Sequence, residues 1–267
     1  MILSKHLLED IGHLQERFES VPANDYHRIA VFDLDNTLIE DDIGDAVYAS
    51  LLRDGMAPAR AWEAYKLLAE RDPQRAYEEA AMALEGLSIQ QVIALTRKIM
   101  QSEDSYITLS DCHVPIPAPN PAMKELVRIL RAIGFIIYVI SASNDASAKV
   151  AASEWFNIPV GNVFGIRSAI IRDKITSTLQ TPIPVGEGKV SLYRKNVGGE
   201  MALIIATDCA MDLPLLQMCD PYGIAILSGD DEQFYHQARA ALPLSTRLHV
   251  VASTHSMEQE FQRKAVG

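Results

Sequence analysis

Short continuous runs of apolar residues alternate along the chain with stretches in which apolar residues recur at helical spacing. The first run, Ile-Ala-Val-Phe between Arg28 and Asp33, is typical of a strand that is buried on both faces. Similar runs predict further strands at residues 135–140, 201–206, 224–227 and 249–252. Strands separated by helices predict a doubly wound α/β fold, in which a parallel sheet lies between two layers of helices.

Helical periodicity without a convincing strand fills residues 44–111. The segment 112–119 that follows contains three prolines, breaks helix and is interpreted as a linker. We therefore predict a core formed by residues 1–43 and 113–267, with a small α-helical cap domain, residues 44–112, inserted into it.

Turn and capping residues organise the predicted core further. Ser4 and Asn120 are predicted to cap helices, and Gly134 is predicted to end the helix that Asn120 begins. Residues 163–185 are predicted to form a β-hairpin with a turn near Asp173, and a further helix is expected to begin within residues 186–189.

Composition and charge narrow the classes of partner. The 267 residues carry a net charge of −11, so there is no basic footprint for nucleic acid or an anionic membrane. No segment approaches about 18 consecutive apolar residues, and the N-terminus lacks the apolar core of a signal peptide. Three cysteines without metal-like spacing fit a reducing compartment, so a cytoplasmic location is expected.

Polar residues follow three of the predicted strands directly. Asp33 comes after the first strand, Ser141 after the second and Asp208 after the third. In open parallel sheets, ligands bind outside the carboxyl ends of the strands. These three side chains are therefore expected to meet at one edge of the sheet, although they are far apart in sequence.

The segment Asp33-Leu-Asp-Asn-Thr37 is the strongest chemical signal. Its two carboxylates, Asp33 and Asp35, lie two positions apart at a strand end, where one can attack phosphorus and the other can exchange protons. The alternative interpretation is an Asx-type turn that merely ends the strand.

The other polar groups can be read in two ways. Asp208 and Asp212 suit a hard cation such as Mg²⁺, which prefers oxygen ligands, but they would also suit the first turn of a helix. Lys189 can supply positive charge to a phosphoryl group and Ser141 a hydroxyl. Taken singly, a lysine is more often solvated and a serine more often a cap.

Taken together and in this order, the motifs resemble those of the haloacid dehalogenase-like phosphatase superfamily. The motifs are Phe32-Asp-Leu-Asp-Asn-Thr-Leu38, Ser141, Lys189 and Asp208-x-x-x-Asp212. The helical insert after the first motif is similar to the cap of the phosphoserine-phosphatase-like subgroup. The resemblance implies a Rossmann-like core with an inserted helical cap.

The resemblance also implies a role for each matching residue. Asp33 would be the nucleophile and a Mg²⁺ ligand, and Asp35 would be the general acid and base, with its carbonyl on the metal. Thr37 would lie beside Asp35 in the catalytic set. Ser141 and Lys189 would hold the phosphoryl group. Asp208 would bind the metal, and Asp212 would support it directly or through its neighbours.

Departures from the subgroup bear on the substrate. Ala142-Ser143-Asn144 stands where phosphoserine phosphatases carry a Gly-Gly pair, and Thr207 replaces the usual glycine before Asp208. In those enzymes an acidic residue nine positions after the nucleophile contacts the substrate amine, and here that position is Asp42. The predicted substrate-binding residues are Asp42, Ser141, Asn144 and Lys189.

The cap sequence favours an amine without a carboxylate. Ala80 falls where the subgroup has a carboxylate-binding arginine, although Arg71 or Arg75 could substitute. Nearby acidic and aromatic residues suit a cationic amine, although the aromatic residues could instead be packing within the cap. These residues are Glu78, Glu79, Trp62, Tyr65 and Tyr77.

The function predicted from these features is Mg²⁺-dependent hydrolysis of a small phosphomonoester, with phosphocholine or phosphoethanolamine as candidates. The alternatives are a phosphoserine phosphatase and a phosphomutase or phosphotransferase of the same fold. A dehalogenase is disfavoured because that subgroup lacks the acid at the position of Asp35. A non-enzymatic binding module is disfavoured because the acidic and lysine motifs are intact.

Overall fold

The computed structural model describes residues 3–19, 28–56, 62–110 and 112–252. The helices are α1 Lys5–Glu19, α2 Ile43–Arg53, α3 Trp62–Arg71, α4 Pro73–Met82, α5 Ile89–Met100, α6 Pro121–Ala132, α7 Asp145–Phe156, α8 Glu187–Asn196, α9 Leu213–Leu216 and α10 Glu232–Ala241. The strands are β1 Ile29–Phe32, β2 Ile39–Glu40, β3 Tyr106–Thr108, β4 His113–Pro115, β5 Ala118–Pro119, β6 Ile136–Asn144, β7 Val163–Ile171, β8 Lys174–Gln180, β9 Ala202–Thr207, β10 Cys219–Ser228 and β11 Arg247–Val251.

Seven strands form the central sheet in the order β11-β10-β9-β1-β6-β7-β8. The first six of these run parallel, and β8 pairs antiparallel with β7 at the edge. All four residues of β1 are buried, because helices cover both faces of its continuous apolar run. The predicted doubly wound α/β fold is confirmed.

Local capping signals in the sequence begin the helices where they were predicted. Ser4 Oγ accepts from the Leu7 N–H at 3.2 Å, and Asn120 Oδ1 accepts from the Ala122 N–H at 2.9 Å. Gly134 follows α6 with φ +87°, a conformation that glycine adopts at little cost. The hairpin predicted at residues 163–185 is present as β7 and β8, and its turn contains Arg172 and Asp173, both with positive φ.

The structure also contains short strands that the sequence analysis did not predict. β3 lies inside the stretch interpreted as purely helical, and β4 and β5 lie inside the segment interpreted as a linker, so both interpretations were wrong at these points. Strands of two or three residues are too short to give a recognisable alternation. β3 pairs with β4 across position 112, where the predicted cap ended, and the division into core and cap stays a prediction.

Helices α2 to α5, which occupy the predicted insert, pack against the sheet and its flanking helices. Thr96 of α5 and Ser147 of α7 share a buried hydrogen bond of 2.7 Å, and one hydrophobic cluster includes Val92 and Ile99 of the insert together with Phe32 of β1. In the described ranges, no helix is long and apolar enough to cross a membrane.

Candidate active site

Asp33 lies where β1 ends at the middle of the sheet. Its N–H donates to the Ala206 carbonyl of β9 at 2.9 Å, and its Oδ1 accepts from the Leu34 N–H at 2.8 Å. The chain then turns back through Asn36, whose φ of 54° is left-handed, a region in which asparagine is enriched. This turn brings the buried carboxylate of Asp35 to the same cavity as Asp33.

Lys189 joins two buried carboxylates at the carboxyl edge of the sheet. Its Nζ lies 2.8 Å from Asp33 Oδ1 and 2.6 Å from Asp212 Oδ2, and its side chain is 3% exposed. Burial alone would lower the pKa of Lys189, but Asp212 and Asp33 outweigh that effect and raise it. Lys189 is therefore a fixed cation, as phosphoryl binding requires.

The backbone that carries Lys189 is tightly constrained. Gly186 precedes α8 with φ +51°, and a Cβ on Gly188 would overlap the carbonyl oxygen of Ile183. On the other side, Asp212 Oδ2 also accepts from Thr207 Oγ1 at 2.7 Å. Thr207 thus uses its hydroxyl to hold the carboxylate that pairs with Lys189.

Buried negative charge accumulates around these groups. Burial raises the pKa of Asp33 well above its usual range against the opposing effect of Lys189, and the charges of Asp212 and Asp208 add to the rise. Burial and Asp212 raise the pKa of Asp208 to about 6. Such crowding of carboxylates is relieved when a divalent cation binds between them.

The donor atoms fit a hard cation. Carboxylate oxygens of Asp208 and Asp212 lie within 4.8 Å of each other and of Cys209 Sγ. Asp33 and Asp35 line the same cavity, so Asp33, Asp208, Asp212 and the Asp35 carbonyl could together hold Mg²⁺, which takes oxygen ligands. Cys209 adds a sulfur that Mg²⁺ does not require.

Asp35 is held at both of its oxygens. Oδ1 accepts from the Ile43 N–H at 2.9 Å, and Oδ2 accepts from Ser141 Oγ at 2.8 Å and from Ser143 Oγ at 2.9 Å. Burial raises the pKa of Asp35, while these hydrogen bonds oppose the rise. A carboxyl with a raised pKa and fixed orientation is suited to exchange protons.

Two further residues line the cavity, one immediately before α2 and one on α4. Asp42 caps α2, its Oδ1 accepting from the Asp45 N–H at 2.9 Å, and Tyr77 projects from α4. Burial, Asp35 and Asp45, in that order, raise the pKa of Asp42 well above its usual range. Asp42 therefore lies in a negative environment that would favour a cation.

The family model for haloacid dehalogenase-like hydrolases matches residues 30–217, which is more than half of the chain. The chain belongs to the haloacid dehalogenase-like hydrolases. This confirms the family that the four motifs indicated, and Asp33, Ser141, Lys189 and Asp208 all lie within the matched range.

Several solved structures share the fold of this chain. A conserved protein of unknown function from Anaerococcus prevotii has a TM-score of 0.65 at 16% identity, over 89% of this chain and 91% of the other. A protein of unknown function from Bordetella pertussis has a TM-score of 0.63 at 19% identity, over 84% and 98%. A phospho-aspartyl intermediate analogue of phosphoserine phosphatase has a TM-score of 0.55 at 12% identity, over 90% and 99%. No protein of curated function matches the chain in sequence.

In this haloacid dehalogenase-like hydrolase, most of the predicted site residues meet in one cavity, but Ser141, Asn144 and Thr37 do not line it. Ser141 is fully buried behind the cavity wall and contacts Asp35. Asn144 caps α7, its Oδ1 accepting from the Ser147 N–H at 2.9 Å, and it lines a different cavity. Thr37 is buried in the turn after Asp35, and its Oγ1 has no hydrogen-bond partner within the part of the chain that the structure describes. The catalytic, substrate-binding and metal-binding roles of all the predicted site residues stay predictions, those of Thr37 and Asn144 included.

Only some of the residues predicted to bind an amine border the cavity. Tyr77 lines the cavity, but Glu78 and Glu79 do not. Glu78 accepts from Gln74 and Glu79 pairs with Arg75, in both cases within α4. Trp62 and Tyr65 pack instead against Tyr48, with ring centroids 6.5 and 4.8 Å from that ring, as expected of cap packing. Neither Arg71 nor Arg75 borders the cavity.

Three polar contacts of the site were not predicted from the sequence. Ser143 bonds to Asp35, Thr207 bonds to Asp212, and Cys209 joins the acidic cluster. Ser143 could have been found, because it lies two positions after Ser141 in an extended segment and side chains two apart share a face. Thr207 gave no such signal, because its hydrogen bond to Asp212 depends on the turn that brings Asp212 back to the end of β9.

Proposed function

We propose that this hydrolase cleaves small phosphomonoesters through an aspartyl-phosphate on Asp33. The observation that carries the proposal is the ion pair of 2.8 Å between Asp33 Oδ1 and the buried Lys189, in one cavity with Asp35. A carboxylate nucleophile, a fixed cation and a proton donor are the protein groups that phosphoryl transfer needs.

The chemistry follows in two steps. In the first, an oxygen of Asp33 forms a bond to phosphorus while the ester oxygen leaves and takes a proton from Asp35. In the second, water attacks the phosphorus and gives a proton to Asp35, and the bond to Asp33 breaks. Lys189 turns from Asp33 towards the phosphoryl oxygens, and Ser141 donates its hydroxyl to them.

Three of the carboxylates, together with one backbone carbonyl, supply oxygen ligands for one divalent cation in the scheme. Mg²⁺ bound by Asp33, Asp208, Asp212 and the Asp35 carbonyl would neutralise charge on the transferring phosphoryl group. We expect turnover to require Mg²⁺ and Ca²⁺ to replace it poorly, since Ca²⁺ takes about six to eight ligands and tolerates bidentate carboxylates. Undiminished turnover after exhaustive chelation would exclude this role.

The charge balance of the cavity supports an amine-bearing substrate. Among the described residues, Lys189 is the sole basic residue that lines the cavity. Five carboxylates line it as well, those of Asp33, Asp35, Asp42, Asp208 and Asp212. A substrate carboxylate would meet like charge near Asp42, whereas an ammonium would be stabilised there. Phosphoethanolamine and phosphocholine therefore fit better than phosphoserine, although structures of phosphoserine phosphatases share the fold.

The nucleophile is tested with Asp33→Asn, which is nearly isosteric but is a poor nucleophile. We expect turnover of p-nitrophenyl phosphate below about a hundredth of wild type and no acid-stable phosphate on the protein. Asp54→Asn, at the exposed end of α2, is the matched control and should retain full activity. Activity of Asp33→Asn above that level would refute the assignment.

The amine site is tested with Asp42→Asn. Asparagine is as good an N-cap as aspartate, so α2 should persist while the charge is lost. We expect kcat/KM to fall about tenfold or more for phosphoethanolamine and to change little for p-nitrophenyl phosphate. Asp45→Asn is the control, since Asp45 bonds to Tyr65 and does not line the cavity. An equal effect on both substrates, or phosphoserine as the best substrate, would contradict the proposal.

A further inference from the structure

Ser143 lies at the junction between the proposed proton donor and the insert. Its side chain is buried, with 4% of the residue exposed, and its Oγ is 2.9 Å from Asp35 Oδ2 and 3.5 Å from Asp42 Oδ1. We propose that Ser143 is a positioning residue that holds the Asp35 carboxyl in place while Ser141 binds the phosphoryl group. This inference rests on the proposed phosphatase function.

The two serines around Asp35 cannot keep the same partners during the reaction. A hydroxyl has one proton to donate. Ser141 Oγ donates it to Asp35 Oδ2 at 2.8 Å and accepts from the Ser143 N–H at 2.9 Å. Once Ser141 donates to a phosphoryl oxygen, it can no longer donate to Asp35. Ser143 is then the remaining side-chain donor to Oδ2.

The two oxygens of Asp35 have different duties. Oδ1 accepts from the Ile43 backbone N–H, which can only donate, so the transferable proton belongs on Oδ2. Oδ2 is also the oxygen that Ser143 contacts. Loss of the Ser143 hydroxyl would therefore let Oδ2 move while Oδ1 stays bound to the Ile43 N–H. Misplacement of a reacting group lowers the reaction rate strongly.

Close packing fixes Ser143 against the start of the insert. A Cβ on Gly44 would lie 2.6 Å from Ser143 Oγ, so α2 approaches this closely only because position 44 lacks a side chain. The contact to Asp42 is longer than the contact to Asp35. The hydroxyl proton is accordingly assigned to Asp35, and Asp42 limits where the oxygen can move.

A matched pair of esters separates positioning from a general structural effect. Phenyl phosphate and p-nitrophenyl phosphate differ by one nitro group. Phenolate is a poorer leaving group than p-nitrophenolate, because phenol is a weak acid that ionises near pH 10, as tyrosine does. Cleavage of phenyl phosphate therefore depends more strongly on the proton from Asp35. We compare kcat/KM, which reports the first step, for both esters with wild type, Ser143→Ala and Ser147→Ala.

For Ser143→Ala we expect kcat/KM for phenyl phosphate to fall about tenfold further than for p-nitrophenyl phosphate, since general acid catalysis contributes about 10² to 10⁴. Ser147→Ala removes a hydroxyl buried against Thr96 and should lower both values alike or not at all. Equal losses for both esters with Ser143→Ala, or no loss, would overturn the positioning role while leaving the phosphatase proposal intact. Wild-type protein inactive on both esters would overturn both.

Discussion

Replacement of Lys189 by methionine tests whether the buried ion pairs are energetically coupled to the fold. Methionine keeps the length and apolar stem of lysine, so the change removes mainly the charge. The lysine side chain is 3% exposed, and its partners Asp33 and Asp212 are 9% and 2% exposed. Removal of the cation therefore leaves two carboxylates buried without their partner.

The expected cost follows from that burial. Breaking a buried ion pair by removing one partner costs about 3–5 kcal/mol, a large part of a total stability of about 5–15 kcal/mol. For a chain of this size each kcal/mol lowers Tm by about 2–4 °C, so Lys189→Met should melt roughly 6–20 °C below wild type. Added Mg²⁺ should restore part of the loss, because it neutralises the same carboxylates.

The control for this measurement is Lys149→Met. Lys149 Nζ lies 2.6 Å from Asp145 Oδ2, as short as the shorter Lys189 contact, but its side chain is 35% exposed and the pair is separated by one helical turn. Exposed pairs of this kind contribute about 0.3–0.5 kcal/mol. We would measure thermal unfolding of both variants in chelator near neutral pH. A Tm for Lys189→Met no lower than that for Lys149→Met would refute the reasoning.

Three further outcomes are expected. Thr207→Val removes a buried donor to Asp212 and should lower the free energy of unfolding, measured by chemical denaturation, by about 1.5–3 kcal/mol. The control is Thr37→Val, which removes a hydroxyl that has no partner among the described residues, so its effect should be close to neutral or stabilising. The pKa of Asp208 is about 6 in the folded protein and about 3.9 in the unfolded chain, so the folded state binds the proton more tightly. The stability that this protonation contributes is therefore present at low pH and is lost as pH rises through 6. In chelator Tm should therefore fall between about pH 4 and pH 6, and Mg²⁺ should flatten that dependence; an unchanged Tm in chelator would contradict this. Gly188→Ala forces a methyl group against a backbone carbonyl, so it should lower Tm and phosphatase activity together, and wild-type values for both would show that the approach is not tight.

Much of the fold was determined by local sequence pattern. The continuous apolar run of β1 can be satisfied only by burial on both faces, which places that strand at the middle of a sheet. Capping residues such as Asn120 fixed helix starts through their own side-chain bonds. The order of the motifs, from Asp33 to Asp208, then indicated which strand ends would carry chemistry. Each of these signals lies within one segment of the sequence, so it can be recognised without knowing how the whole chain folds.

Only the tertiary structure decided which side chains touch. Ser143 reaches Asp35, and Lys189 lies between Asp33 and Asp212, because the sheet brings the ends of β1, β6 and β9 together. β3 and β4 escaped prediction because two three-residue segments acquire strand character only by pairing with each other. Hydrophobic periodicity reports the face that a segment buries and carries no information about partners distant in sequence. Contacts between distant segments are set by the packing of the whole sheet, so they had to be observed.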